Sequence, residues 1–179
     1  MTSLRAKALI ESENIPIPGK ATITIKNPDL ARVEVYGPLN QIITIVTIAH
    51  DNCLLYSNGR VRSCGKKDRA VYSAGLKELT TVLLGGTLEA GEGKDLEIVK
   101  DGMGRLSRFT KFEDGTPVVT VTVKDYKDVR GVEIPFAVML ESKEEKLLIE
   151  YYSVELNPEI NNETFTLPLP LPLPLPLTP

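Results

Sequence analysis

The most restrictive feature of the sequence is the stretch Cys53-Leu54-Leu55-Tyr56-Ser57-Asn58-Gly59-Arg60-Val61-Arg62-Ser63-Cys64. Asn-Gly between two strand-like arms specifies a tight type I′ hairpin, because both central residues of that turn need positive φ. Centring the turn on Asn58-Gly59 pairs Ser57 with Arg60, Tyr56 with Val61, Leu55 with Arg62 and Leu54 with Ser63. Cys53 then falls opposite Cys64, and these are the only two cysteines in the chain. Directly opposed residues have Cα atoms roughly 4.5–5.5 Å apart, within the reach of a disulfide. The pair can close a bridge, which would point outside the reducing cytosol, or stay as two reduced thiols packed on a sheet face.

The rest of the chain is also patterned for strands. Leu4 to Leu9 alternates, and from Ala21 to Lys26 Ile23 and Ile25 share one face against Thr22 and Thr24 on the other. Ile15-Pro16-Ile17-Pro18-Gly19 reads as a wide turn between them, and Asn27-Pro28-Asp29 as a stop before Arg32-Val33-Glu34-Val35-Tyr36 resumes extension. Gln41 to His50 is apolar on both faces, Ile43, Ile45 and Ala49 against Ile42, Val46 and Ile48, so something must cover each side. Beyond Leu96, Val119, Val121 and Val123 alternate with Thr120 and Thr122. Leu147 to Tyr152 is again two-sided, and polar turns are expected at Glu113–Thr116, Tyr126–Gly131 and Ser142–Lys146.

One helix interrupts this pattern. Ser73 can cap it, Leu76, Leu79 and Leu83 share a face that Val82 and Leu84 widen, and Gly85 permits a left-handed exit. A helix this apolar must dock on the sheet. The expected architecture is mainly β with some helix (α+β), a single domain over residues 1–166 in which a curved antiparallel sheet encloses a helix. Residues 167–179 form a Leu-Pro-rich tail that cannot build a ladder because alternate residues lack an amide hydrogen. Its strip of leucines can dock into an apolar groove or remain an unattached appendage.

Composition narrows the function classes. Lys and Arg total 21 against 24 Asp and Glu, interspersed, so no phosphate-tracking stripe suggests nucleic acid. The apolar runs are broken by Thr every few residues and fall short of a membrane span. Met1-Thr2-Ser3-Leu4-Arg5 lacks the basic and apolar regions of a signal peptide. The single histidine, His50, has no nucleophile elbow or partner around it, so it reads as a surface residue at a strand end and the chain as non-enzymatic. Two cysteines and one histidine do not make a zinc site, and Gly85-Gly86, Gly91-Glu92-Gly93 and Gly102-Met103-Gly104 lack a phosphate loop's Gly-Lys-Ser/Thr ending. No metal and no cofactor are expected.

The order of parts then matters: paired strands, Val33-Glu34-Val35-Tyr36-Gly37-Pro38-Leu39-Asn40, an apolar strand, the hairpin, and Leu76-Lys77-Glu78-Leu79-Thr80-Thr81-Val82-Leu83-Leu84-Gly85. With Arg130-Gly131-Val132-Glu133-Ile134-Pro135 and Tyr151-Tyr152-Ser153-Val154-Glu155-Leu156-Asn157 further on, the chain resembles the LolA/LolB-like lipoprotein localisation factors over nearly its whole length, closest to the LolB side. The likeness departs at the N-terminus, where strand-like sequence stands in place of the family's first helix.

That resemblance implies an incomplete β-barrel with helices over its open, apolar concave side, taking up lipoprotein acyl chains or another lipid. It implies a periplasmic protein, either a soluble carrier or a receptor lipid-anchored to the outer membrane, with a monomer expected and an envelope protein as a possible partner. Leu39 corresponds to the family's protruding apolar loop, where it would touch membrane or cargo; a buried turn leucine is the plainer alternative. Ile43, Ile45, Leu76, Leu79, Leu83, Val121 and Tyr151 are the expected cavity residues, although the same side chains would serve as core in a sealed domain. The rival reading is a structural or protein-interaction module of the envelope with no lipid cargo.

Overall fold

The structure, a computed structural model, describes residues 2–12, 15–26, 29–50, 52–64, 76–84, 86, 88, 95–143 and 145–167. Six strands lead: β1 (Ser3–Ser12), β2 (Ile15–Lys26), β3 (Leu30–Tyr36), β4 (Ile42–Ala49), β5 (Asn52–Ser57) and β6 (Arg60–Ser63). Helix α1 (Leu76–Leu83) follows. Five more strands complete the sheet: β7 (Leu96–Lys100), β8 (Leu106–Glu113), β9 (Thr116–Val129), β10 (Val132–Ser142) and β11 (Lys146–Leu156). A 3₁₀ helix (Asn162–Phe165) lies beyond them.

All the strands belong to one antiparallel sheet in the order β6-β5-β4-β3-β2-β1-β11-β10-β9-β8-β7. It is two meanders growing outward from a central seam, where β1 pairs with β11 from Leu4↔Leu156 to Ser12↔Leu147. The edges are therefore β6 and β7, consecutive in sequence and unpaired with each other, so the sheet is not closed. The chain between them, which carries α1, starts at one edge and ends at the other. All four residues of the short edge strand β6 are exposed, among them Arg60 and Arg62, charges that disfavour edge-to-edge pairing with another chain.

Two-residue turns set the registers. Asn58 and Gly59 have φ of 52° and 75°, and β5 pairs β6 from Ser57↔Arg60 to Leu54↔Ser63, the register the Asn-Gly pair predicts. Asp114-Gly115 and Arg130-Gly131 repeat the same positive-φ geometry at two further hairpins. Here two expectations are corrected. The extension of β9 to Val129 leaves only Arg130-Gly131 as the turn expected over Tyr126–Gly131. Ile15–Gly19 lies in β2 and not in a wide turn, because Ile15 already pairs with Ser12; the surplus residues are absorbed as an irregularity between that pair and Ile10↔Gly19. Pro16 and Pro18 have no N–H to give a ladder, and such a slipped segment tolerates them.

Period-two burial marks the concave face. Leu4, Ala6, Ala8 and Ile10 of β1 are buried between exposed Arg5, Lys7 and Leu9. Their neighbours Ala21, Ile23 and Ile25 of β2 and Leu147, Ile149 and Tyr151 of β11 continue the core. Two successive small residues on the inner face of β1, Ala6 and Ala8, let a curled sheet bring the larger inner side chains of its neighbours together.

The convex face is covered in part by the chain after β11. Asn157 N–H donates to the Ser3 carbonyl, and the Ser3 hydroxyl donates to the Pro158 carbonyl at 2.9 Å. Lys26 Nζ reaches the Ile160 carbonyl at 2.9 Å and Asn162 Oδ1 at 2.7 Å, while Arg32 donates to the carbonyls of Thr164 and Thr166. Ile160 and Phe165 are buried by this docking, and Thr24, Thr47 and Ile45 of the sheet are buried with them. This segment, together with the concave core, accounts for a β4 that is apolar on both faces.

Candidate functional site

The concave face does not pack solid throughout. At the β7–β9 end, Phe109, Val119 and Val121 are sealed at 1% exposure or less. Between β1–β4 and β10–β11 a hollow of about 230 Å³ remains. Its floor comes from alternate residues of adjacent strands, such as Ile23 and Ile25, Val33 and Val35, and Ile149. Thr80 and Leu83 of α1 line it as well, and Leu83 is 3% exposed. Lys111 Nζ of β8 donates to Glu78 Oε1 of α1 at 3.0 Å, a second link between helix and sheet.

The faces of β4 differ from the alternation read along it. Val35 pairs with Thr44 but Tyr36 pairs with Ile42, so Ile43 is an extra residue at a β-bulge. The bulge turns Ile43 toward the hollow together with Thr44 and Val46, although strict alternation would put Ile43 on the face of Ile45. Ile45, opposite Glu34, faces the convex side and is buried there. Of the expected cavity residues, Ile43, Leu83 and Tyr151 line the hollow. Val121 lies on the same face, paired with Leu140, but within the sealed part of the core. Leu76 and Leu79 lie in α1, and their side chains fall outside the described residues, as do Ser73, Gly85 and the tail beyond Leu167.

Leu39 is 88% exposed at the tip of the β3–β4 loop. The loop is tightly held: Gly37 N–H donates to the Gln41 carbonyl, Asn40 N–H to the Gly37 carbonyl, and Leu39 N–H to Gln41 Oε1 at 3.0 Å. A side chain at position 37 would collide with the Gln41 amide, so the glycine is what lets that amide fold under the loop. Ile42 and Ile43 continue the exposed apolar surface from this tip to the rim of the hollow.

Polar groups in the hollow are few. Glu145 accepts a hydrogen bond from the Ser12 hydroxyl at 2.9 Å. The Tyr151 hydroxyl is buried and has no hydrogen-bond partner among the described residues. Burial pushes its pKa well above the ordinary phenol value, so it is a neutral O–H at any physiological pH. Sequence reading grouped Tyr151 with the apolar lining; the missing partner becomes visible only once the surrounding strands are in place.

Cys53 and Cys64 form a disulfide with Cα atoms 5.3 Å apart, and Cys64 N–H donates to the Cys53 carbonyl. Both are buried, and Cys53 sits opposite Ile48, on the concave side. His50 is exposed at the end of β4, its N–H donating to the Asp29 carbonyl. Among the described residues no helix is long and apolar enough to cross a membrane.

No family model matches the sequence, and no curated protein matches it either. The fold does have solved counterparts. A LolA superfamily protein from Nitrosomonas europaea superposes with a TM-score of 0.58 at 10% identity, covering 92% of this chain and 89% of that one. A putative outer membrane lipoprotein-sorting protein domain from Vibrio parahaemolyticus gives 0.56 at 9% identity, covering 92% and 89%. A DUF1329 family protein from Desulfovibrio piger gives 0.58 at 9% identity, covering 92% and 90%. The chain thus has the fold seen in LolA-superfamily and lipoprotein-sorting proteins.

Proposed function

We propose that this protein is a non-catalytic binder of lipid or lipoprotein acyl chains, a carrier or receptor of the cell envelope. The observation that carries the reading is the hollow itself: an open sheet leaves an apolar depression lined by aliphatic side chains from at least six strands and by Leu83 of α1. Burying hydrocarbon there is driven by roughly 0.8 kcal/mol per methylene, and the unclosed sheet leaves a way out. In this reading α1 lies across the concave side as a lid. The exposed Leu39, at the tip of the loop that Ile42 and Ile43 join to the rim of the hollow, is the group that touches a bilayer or the cargo's acyl chains. The disulfide and the fold shared with a lipoprotein-sorting domain support a periplasmic location.

One observation favours the rival, a protein-interaction module with a sealed core: about 230 Å³ is below the roughly 300–1,000 Å³ of most small-molecule sites. Native mass spectrometry of gently purified protein, with displacement of a fluorescent acyl probe, separates the two. Saturable probe binding that Ile43→Glu weakens at least tenfold while the melting temperature holds supports the carrier or receptor. Absence of both retained lipid and probe binding leaves the interaction module.

A further inference from the structure

The chain after β11 crosses the convex face strand by strand. The Pro158 carbonyl accepts from Ser3 of β1, Ile160 and Asn162 take the ammonium of Lys26 of β2, and the carbonyls of Thr164 and Thr166 take the guanidinium of Arg32 of β3. The 3₁₀ helix, Asn162–Phe165, touches β3 and β4. In the order of the sheet each step goes toward the β6 edge, so the chain leaving Leu167 is directed at the β5–β6 hairpin. The strand register decides what it meets there. Tyr56 and Leu54 stand opposite Ile45 and Thr47, on the convex side, and Val61 and Ser63 stand opposite Tyr56 and Leu54 in turn. Arg60 and Arg62 alternate to the other face, which leaves this side of the hairpin uncharged. Val61 is 38% exposed, and Leu54 and Tyr56 are half-buried. The strip continues the face of Ile45, which the docked segment covers.

The composition of residues 168–179 suits such a face. They carry proline at every second position as far as Pro176, leucines between, and no charged side chain. Without amide hydrogens at alternate positions they cannot add a strand to the β6 edge and have only side chains to pack with. Polyproline segments pack on aromatic surfaces at low entropic cost, and Tyr56 offers such a ring. At about 3.1 Å per residue in that geometry residues 168–179 would span about 37 Å, against roughly 14 Å for the three strand spacings from β3 to β6. We infer that residues 168–179 lie across the convex face of the β5–β6 hairpin, on Leu54, Tyr56 and Val61, as a strap that carries the docked segment on to the edge of the sheet. The occupant of this face is the chain's own tail, whatever the hollow on the other face takes up.

The test compares amide spectra of the isotope-labelled full chain with those of a full-length variant carrying Leu169→Ser, Leu171→Ser and Leu173→Ser. These positions follow the docked segment, so the amides of β8, β9 and β10 should stay where they are. The amides from Leu54 to Ser63 are expected to shift and to exchange severalfold faster with solvent. In Val61→Glu the leucine methyls of the tail are expected to move to the positions of an unstructured peptide. Hairpin amides that do not respond to the three serines overturn the strap. Wild-type hairpin shifts that move toward those of the serine variant on dilution also overturn it, because they assign the face to the tail of a second copy. The serine variant alone decides the matter should Val61→Glu loosen the hairpin.

Discussion

At the scale of single residues, the β7–β8 turn shows how one carboxylate organises a bend. Asp101 Oδ1 accepts the N–H groups of Met103 at 2.9 Å and Arg105 at 3.0 Å, and Oδ2 takes the Arg105 guanidinium at 2.9 Å and 2.8 Å. Arg105 in turn stacks 4.8 Å over the Tyr126 ring and reaches Glu133, tying the turn to β9 and β10. Partial desolvation pushes the Asp101 carboxyl up, but the Arg105 guanidinium and the two amides outweigh it and hold its pKa below the ordinary carboxylate value. A depressed folded pKa contributes stability that is complete above the unfolded value, about 3.9, and is lost as the pH falls through the folded one. The carboxyl resonance of Asp101 should therefore titrate at lower pH than those of the exposed aspartates. In Asp101→Asn the fall of the denaturation midpoint below about pH 4 should flatten. An Asp101 midpoint at or above the ordinary value would show that the guanidinium does not govern this carboxyl.

At the scale of elements, the β5–β6 hairpin holds the root of the segment that passes from edge to edge of the sheet, because its disulfide sits where that segment leaves the hairpin. The loop it closes is short and already bent by Asn58-Gly59, so removing the bridge should cost about 2–3 kcal/mol, near the low end for disulfides. Cys53→Ala with Cys64→Ala, or the wild type with added reductant, should lower the unfolding free energy read from urea melts by that amount, and an unchanged midpoint would show that the turn alone holds the hairpin. This element was legible in the sequence down to its register, because an Asn-Gly turn is local information. The outlines of β1, β3, the Ala21–Lys26 part of β2 and the Val119–Val123 part of β9 were legible for a similar reason: alternation between apolar and polar residues is written along each. The facing of β4 was not, since the bulge at Ile43 exists only relative to β3, and a one-residue slip sends Ile45 to the opposite face. Nor was the docked C-terminal segment legible, for Asn157 to Thr166 is a mostly polar stretch whose two anchors, Ile160 and Phe165, have no periodicity to announce them. The candidate site was half readable for the same reason: its aliphatic lining follows from strand patterns, but which members seal the core and which leave space depends on all the strands at once.

At the scale of the whole molecule, the open sheet and the segment between its edges pose one question, whether the hollow can enlarge. At about 230 Å³ it does not hold a long acyl chain outright, so on the proposed acyl-binding reading the expected route of uptake is for α1 to move away from the sheet. The Glu78–Lys111 pair is a polar contact that opposes this motion, with side chains 20% and 28% exposed. It is incompletely satisfied, because Glu78 Oε2 is buried with no partner among the described residues. A part-buried pair with one oxygen unpaired contributes little to stability when intact, whereas setting two like charges against each other there is costly. Lys111→Glu should accordingly push α1 from the sheet and raise the association rate of an acyl probe about fivefold, corresponding to about 1 kcal/mol taken from the opening step. Adding Glu78→Lys restores opposite charges across the same gap and should return the rate to the wild-type value. Stopped-flow fluorescence of the wild type, Lys111→Glu and the charge swap reads the three rates directly. Equal rates in all three would mean that acyl chains enter without displacing α1.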